Sequence, residues 1–158
     1  MTSDRESIID VYQRLLDAWN RRDADAFAAL FTGDGSTIGF DGSQMNGRDE
    51  IRSALRAIFA DHQTATYVAI VREVRSLPNT TFLIRAVAGM TPRGGGELNP
   101  AVNAVQSAVL VDEEGQPHIA LLQNTPAAFH GRPELADALT QELTGVLQSG
   151  AVVQRESR

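Results

Sequence analysis

The stretch LNPAVNAVQSAVLVDEEGQPHIALLQNTP, residues 98–126, decides how this chain folds. It reads as two β-strands rich in Val, Ile and Leu, joined by a tight loop from Asp112 to Pro117, with four amides, Asn103, Gln106, Gln123 and Asn124, interrupting the apolar pattern. A strand pair with one wet face alternates cleanly between apolar and polar residues. Here each face is mostly apolar with a small polar island, so both faces are expected to be covered. A buried amide without a partner costs about 1–3 kcal/mol, so these side chains must meet one another, water, a second subunit or a ligand. With Val111 opposite His118, counting back along the strands sets Gln106 against Gln123 and gathers Asn103, Ser107 and Asn124 on the other face. A slip of one residue would undo both groupings.

Working outward, residues 65–77 and 80–90 keep the period of two and predict two further strands, separated by Pro78 and Asn79. Before them the period is helical. Ile8, Tyr12, Leu15, Leu16 and Trp19 predict an amphipathic helix over residues 4–21. Asp23 is placed to cap a shorter helix that buries Phe27, Leu30 and Phe31 and stops at Gly33 and Gly35. The segment STIGF, residues 36–40, predicts a short strand before the turn pair Asp41–Gly42. A third helix begins near Gly47 and carries the stripe Ile51, Leu55, Ile58 and Phe59. The glycine-rich loop 91–100 suits a mobile rim, and Pro133 opens a C-terminal helix carrying Leu135, Leu139, Leu143 and Leu147.

Three helices before a run of long strands indicate an α+β fold, with helices gathered on one face of an antiparallel sheet. A single domain is expected over residues 1–150, with 151–158 a disordered tail. No second layer is evident for the other face, so a second copy of the chain, packed two-fold as a homodimer, is the simplest cover. One amide cluster would then line a cavity and the other would sit in the subunit interface.

Composition removes several function classes. A formal net charge of −6 over 158 residues argues against nucleic acid as a partner. There is no cysteine, and all 14 basic residues are arginine, so thiolate and lysine Schiff-base chemistry are absent. No apolar run approaches the ~18 residues of a membrane span, and the acidic start of the chain does not resemble a signal peptide, so a cytoplasmic protein with no membrane partner is expected. His62, His118 and His130 lack the short spacings of a metal motif. The run RGGG at residues 93–96 opens no helix and is no phosphate loop, and no nucleophile elbow or dinucleotide fingerprint appears. No cofactor is expected, which leaves ligand binding or cofactor-free acid–base chemistry.

The element order, together with LLDAWNRRDADAFAALFTGDGS, GFDGS, GRDEI and QNTPAAFHGRPEL, resembles the nuclear transport factor two-like superfamily, which includes ketosteroid isomerase and small polyketide cyclases. The phrases NPAVNAVQ and QNTPAAFHGRPE are similar to SgcJ-like proteins encoded beside enediyne polyketide synthases in actinomycetes. The likeness spans roughly residues 8–140. It implies a cone-shaped roll, in which a curved antiparallel or mixed sheet wraps around the three helices of the N-terminal half, with a C-terminal helix added. It also implies a cavity, a homodimer through the outer sheet face, and a role in enediyne polyketide biosynthesis. The implied partner is a hydrophobic polyketide-derived intermediate. The second reading, from another class, is a non-catalytic accessory that docks on the polyketide synthase.

Ketosteroid isomerase pairs a carboxylate base with two proton donors. By resemblance, Asp41 falls where the base would sit and Tyr12 near the tyrosine donor, whereas the strand 80–90 offers Arg85 and no acid. One missing donor weakens an isomerase reading. Asp41–Gly42 is equally a common turn pair, and Arg85 suits either a substrate oxyanion or a salt bridge to Glu73. The remaining substrate-binding candidates are Trp19 and Phe40 as walls, Asn103, Gln106, Gln123 and Asn124 as polar contacts, and His130 at the cavity mouth or holding a turn.

Overall fold

Ile8, Val11, Tyr12, Leu15 and Leu16 return to one side every three or four residues, and in the computed structural model, which describes residues 4–156, they are the buried face of α1 (Asp4–Arg21). Asp23 caps α2 (Ala24–Ala29) by accepting a hydrogen bond from the Ala26 N–H at 3.0 Å. Asp23→Ala is therefore expected to cost about 1 kcal/mol in chemical denaturation, and Asp23→Asn far less. The helix stops earlier than expected. Leu30 is its C-cap, and Phe31 opens β1 (Phe31–Ile38), so Gly33 and Gly35 lie inside a strand. The ring of Phe31 still reaches the core, stacked on Phe27 with centroids 5.5 Å apart. After β2 (Gln44–Asn46), Gly47 at φ 95° turns the chain into α3 (Arg48–Asp61), whose buried stripe is Ile51, Leu55 and Phe59.

The long strands follow as β3 (Thr66–Leu77), β4 (Thr81–Thr91), β5 (Ala104–Glu113) and β6 (Gln116–Pro126), with α4 (Pro133–Ser149) and β7 (Val153–Arg155) closing the chain. The sheet order is β2-β1-β6-β5-β4-β3-β7. It is mixed, because β1 runs parallel to β6 and β7 parallel to β3 while the other neighbours are antiparallel. The fold class expected from the sequence is thus the observed one, an α+β roll with a C-terminal helix.

The opening hairpin is tighter than its sequence implied. Asp112 and Glu113 pair with Pro117 and Gln116, leaving Glu114 and Gly115, both at positive φ, as the turn. Val111 does face His118, but a bulge intervenes. Leu110 pairs with Ile119 and Val109 with Leu121, which leaves Ala120 unopposed. From there the register is offset by one residue, so Gln106 faces Asn124 and Ser107 faces Gln123. The expected grouping of Gln106 with Gln123, and of Asn124 with Asn103, is corrected by this single extra residue.

Ala86, Ala88, Ala108, Leu110 and Ile119 on the inner face pack against α1 in the main core. On the outer face Val68, Ile70 and Val87 pack under Leu139, Leu143 and Val146 of α4. The C-terminal helix, rather than a second copy, is therefore the cover over β3 and β4, and the helices occupy both sides of the sheet. Arg72, the bulged residue of β3, grips Glu142 of α4 with both terminal nitrogens at 2.8 and 2.9 Å. The hydrogen bonds from Arg72 hold the Glu142 carboxyl below its usual range. A lowered carboxylate stabilises the fold above its ordinary pKa, and that support is lost as pH falls through the lowered value. Arg72→Ala is expected to cost up to about 1 kcal/mol at pH 7, the pair being partly exposed, and the gap from the parent should close in acid denaturation series. Of the tail expected to be disordered, residues 151–158, Val153 to Arg155 instead form β7 at the free edge of β3, and residues 157–158 lie outside the described residues. Among the described residues, no helix is long and apolar enough to cross a membrane.

Candidate functional site

Between α1, α3 and the inner sheet face lies a cavity of about 460 Å³ whose walls are mainly apolar, among them Leu15, Leu16, Leu55, Ile58 and Met90. A pocket of this size and lining suits a small organic molecule. Trp19 forms part of the wall. Its ring meets Phe59 edge-on at 5.3 Å and Tyr67 at 5.6 Å, and its Nε1–H donates to the Ala65 carbonyl at 2.9 Å. Phe40, 38% exposed, and Asp41 stand at the mouth. A larger hollow of about 580 Å³, bordered by Glu6, Asp10, Arg14 and Arg155, has charged walls and is the poorer seat for an apolar guest.

The polar part of the cavity is a chain of hydrogen bonds with a fixed direction. Asn124 donates from Nδ2 to the Ile38 carbonyl at 3.4 Å, and a carbonyl can only accept. The Asn124 Oδ1 therefore faces Gln106, which donates to it from Nε2 at 2.8 Å. The Gln106 Oε1 in turn accepts from the Tyr12 hydroxyl. One backbone carbonyl thus fixes both amide orientations. Burial pushes the Tyr12 hydroxyl well above its ordinary pKa, with the neighbouring Tyr67 adding to the effect, and burial pushes Tyr67 up to about 12. Both phenols are neutral donors at pH 7 and not bases.

Thr37 of β1, paired with Leu122 of β6, joins this wall. It is 4% exposed, and its Oγ1 has no partner. The sequence reading missed Thr37 and Tyr67. Both are inner-face residues of strands, a position that alternation along STIGF and along β3 could have flagged.

Among the sequence candidates, Trp19, Phe40, Asp41, Gln106 and Asn124 line the cavity, and Tyr12 stands directly behind Gln106. Four do not join them. Gln123 is exposed on the outer face opposite Ser107. Arg85 lies on the same face, 3.5 Å from Glu73, which is the salt-bridge alternative. Asn103 is buried beneath α4, where Nδ2 donates to the Thr140 hydroxyl at 2.9 Å. His130 is exposed in the turn before α4.

Asp41 is a poor base in this setting. It is exposed, its Oδ1 accepts from the Ser43 N–H at 2.9 Å, and the hydrogen bonds from the Ser43 backbone and hydroxyl lower its pKa. A carboxylate stabilised in that way takes up a proton reluctantly at neutral pH. The geometry can therefore enclose a neutral apolar molecule and offer it hydrogen bonds. Among the described residues no cluster of three or more His, Cys, Asp or Glu is placed to hold a metal ion.

Solved structures share the fold. A domain of unknown function with a cystatin-like fold from Nostoc punctiforme superposes with a TM-score of 0.76 at 23% identity, covering 94% of this chain and 97% of that one. ActVI-ORFA from Streptomyces coelicolor gives 0.64 at 13% identity, covering 79% and 98%. A ketosteroid isomerase-like protein from Erwinia carotovora atroseptica gives 0.62 at 19% identity, covering 81% and 99%. No curated protein matches the sequence. These likenesses carry the nuclear transport factor two-like architecture but no reaction. The sequence itself goes one step further, for residues 8–122 match the model of the SnoaL-like domain, and the chain belongs to that family.

Proposed function

We propose that this protein receives a hydrophobic, polyene-like polyketide intermediate of enediyne biosynthesis in its inner cavity, as a cytoplasmic binding protein rather than as an acid–base enzyme. The observation that carries the reading is the apolar cavity of about 460 Å³ with a directionally fixed amide pair in its wall. The phrases at residues 99–106 and 123–134, similar to SgcJ-like proteins, support the pathway. Binding is favoured over cyclase or isomerase chemistry because Asp41 is exposed, bonded to Ser43 and lowered in pKa.

The working unit under this proposal is a homodimer through the part of the outer face beyond α4. Leu83, Val109 and Leu121 are half-buried there and face one another across β4, β5 and β6.

Trp19 is the only tryptophan and lines the cavity, so its fluorescence reports filling. Titration with a polyene is expected to quench it saturably. Ala54→Phe, which adds a ring to the α3 wall, should weaken that binding by about tenfold or more through overpacking. Asp41→Asn, at the exposed mouth, should leave affinity within about twofold. Quenching that never saturates, or that Ala54→Phe leaves unchanged, would remove the cavity as the binding site.

A further inference from the structure

Thr37 presents a hydroxyl that the protein itself does not use. Among the described residues, the buried side-chain atoms without a hydrogen-bond partner belong to Thr37, Thr64, Glu73 and Asn103, and of these residues only Thr37 lines the cavity. The surrounding groups do not need it as a donor or an acceptor. Gln106 Nε2 and Asn124 Nδ2 each spend one N–H within the chain that ends at the Ile38 carbonyl, and each keeps a second. The amide oxygens already accept from Tyr12 and from Gln106. The site thus holds unspent hydrogens on Thr37, Gln106 and Asn124, while each amide oxygen already accepts one hydrogen bond.

Charge narrows the guest further. Among the described residues, no Arg or His lines the cavity, and the one carboxylate of its wall, Asp41, stands at the mouth as an anion. A carboxylate entering such a site would lose its hydration with no cation to replace it. A neutral carbonyl accepts the same hydrogen bonds without that penalty. Leaving Thr37 unpaired has a cost of its own, which a guest oxygen would relieve.

We infer that Thr37 is the specificity-determining residue of the cavity, donating its hydroxyl to a neutral carbonyl oxygen of the bound apolar molecule and so selecting ketones or aldehydes over free acids. This rests on the receptor reading above and adds the functional group that the receptor recognises.

The probes are all-trans-retinal and all-trans-retinoic acid, a neutral carbonyl and a carboxylate on the same polyene, titrated at pH 8 against Trp19 fluorescence. The chain has no lysine side chain to trap the aldehyde. The parent should bind retinal at least about tenfold more tightly than retinoic acid. Thr37→Val should weaken retinal binding about fivefold, the loss of one hydrogen bond, and leave retinoic acid unchanged, whereas Thr37→Ser should restore the preference. Without ligand, Thr37→Val should unfold at the same denaturant concentration as the parent or a higher one, because it removes an unsatisfied hydroxyl. Retinal binding indifferent to Thr37→Val, equal affinity for the two probes, or a ligand-free Thr37→Val protein clearly less stable than the parent would each overturn the inference while leaving the receptor reading intact. Failure of both probes to bind would instead overturn the receptor reading, and this inference with it.

Discussion

Gln106→Leu is expected to lower the unfolding free energy by about 1–3 kcal/mol, because the substitution orphans the buried Tyr12 hydroxyl and also takes the donor from the half-buried Asn124. Gln106 is 2% exposed and stands in the middle of the chain that joins Tyr12 to Asn124. Without it the Tyr12 hydroxyl, on a buried residue of α1, loses its acceptor, and Asn124 Oδ1 loses its donor. Leucine has nearly the same volume, so the added apolar burial returns only part of the loss. The signature that separates this from simple misfit is non-additivity. Adding Tyr12→Phe to Gln106→Leu removes one of the orphans, so the double variant should be more stable than Gln106→Leu alone. Urea denaturation at constant m-value measures both, and a double variant as unstable as the sum of its singles would show that the chain is not a unit.

The second large effect comes from a glycine. A Cβ built on Gly35 lies 2.7 Å from the Ile119 carbonyl oxygen, with the Thr32 carbonyl at 3.1 Å. Both obstacles are backbone and neither can rotate away. Here β1 has left its ladder with β6, between Phe31 and Ser36, and the two chains cross closely. Gly35→Val is therefore expected to destabilise the protein by about 1–3 kcal/mol, at the upper end because the strand pair must separate. Gly33→Ala is the control, since its Cβ would meet nothing within 4 Å. Equal midpoints for the two variants in thermal or urea unfolding would mean that the crossing is looser than described.

Much of the fold was legible because periodicity reports burial directly. The stripe from Ile8 to Leu16 fixed α1, Asp23 marked the start of α2, and the β-branched runs marked the four long strands. What escaped were features that depend on partners distant in sequence. The bulge at Ala120 leaves no mark on composition, since alanine, leucine and isoleucine suit either register, yet it decides that Asn124 and not Gln123 meets Gln106. Phe31 looked helical because it continues the stripe of Phe27 and Leu30, and the sheet claimed it instead. The side on which α4 packs was hidden for the same reason, because a stripe of Leu139, Leu143 and Val146 states that a face is buried but not against what. Of the site, the amides were visible as polar interruptions in apolar strands. Thr37 was not, because threonine is at home in any strand, and only its missing partner sets it apart.

Both margins of the seven-stranded layer end in strands of three residues, β2 beside β1 and β7 beside β3. Short border strands present few free N–H and C=O groups in a row, which discourages neighbouring molecules from docking by strand addition and growing into fibrils. Strand-to-strand association at either margin is thereby discouraged. Clipping the residues that form β7 would uncover the long edge of β3 and is expected to make the protein more prone to aggregate.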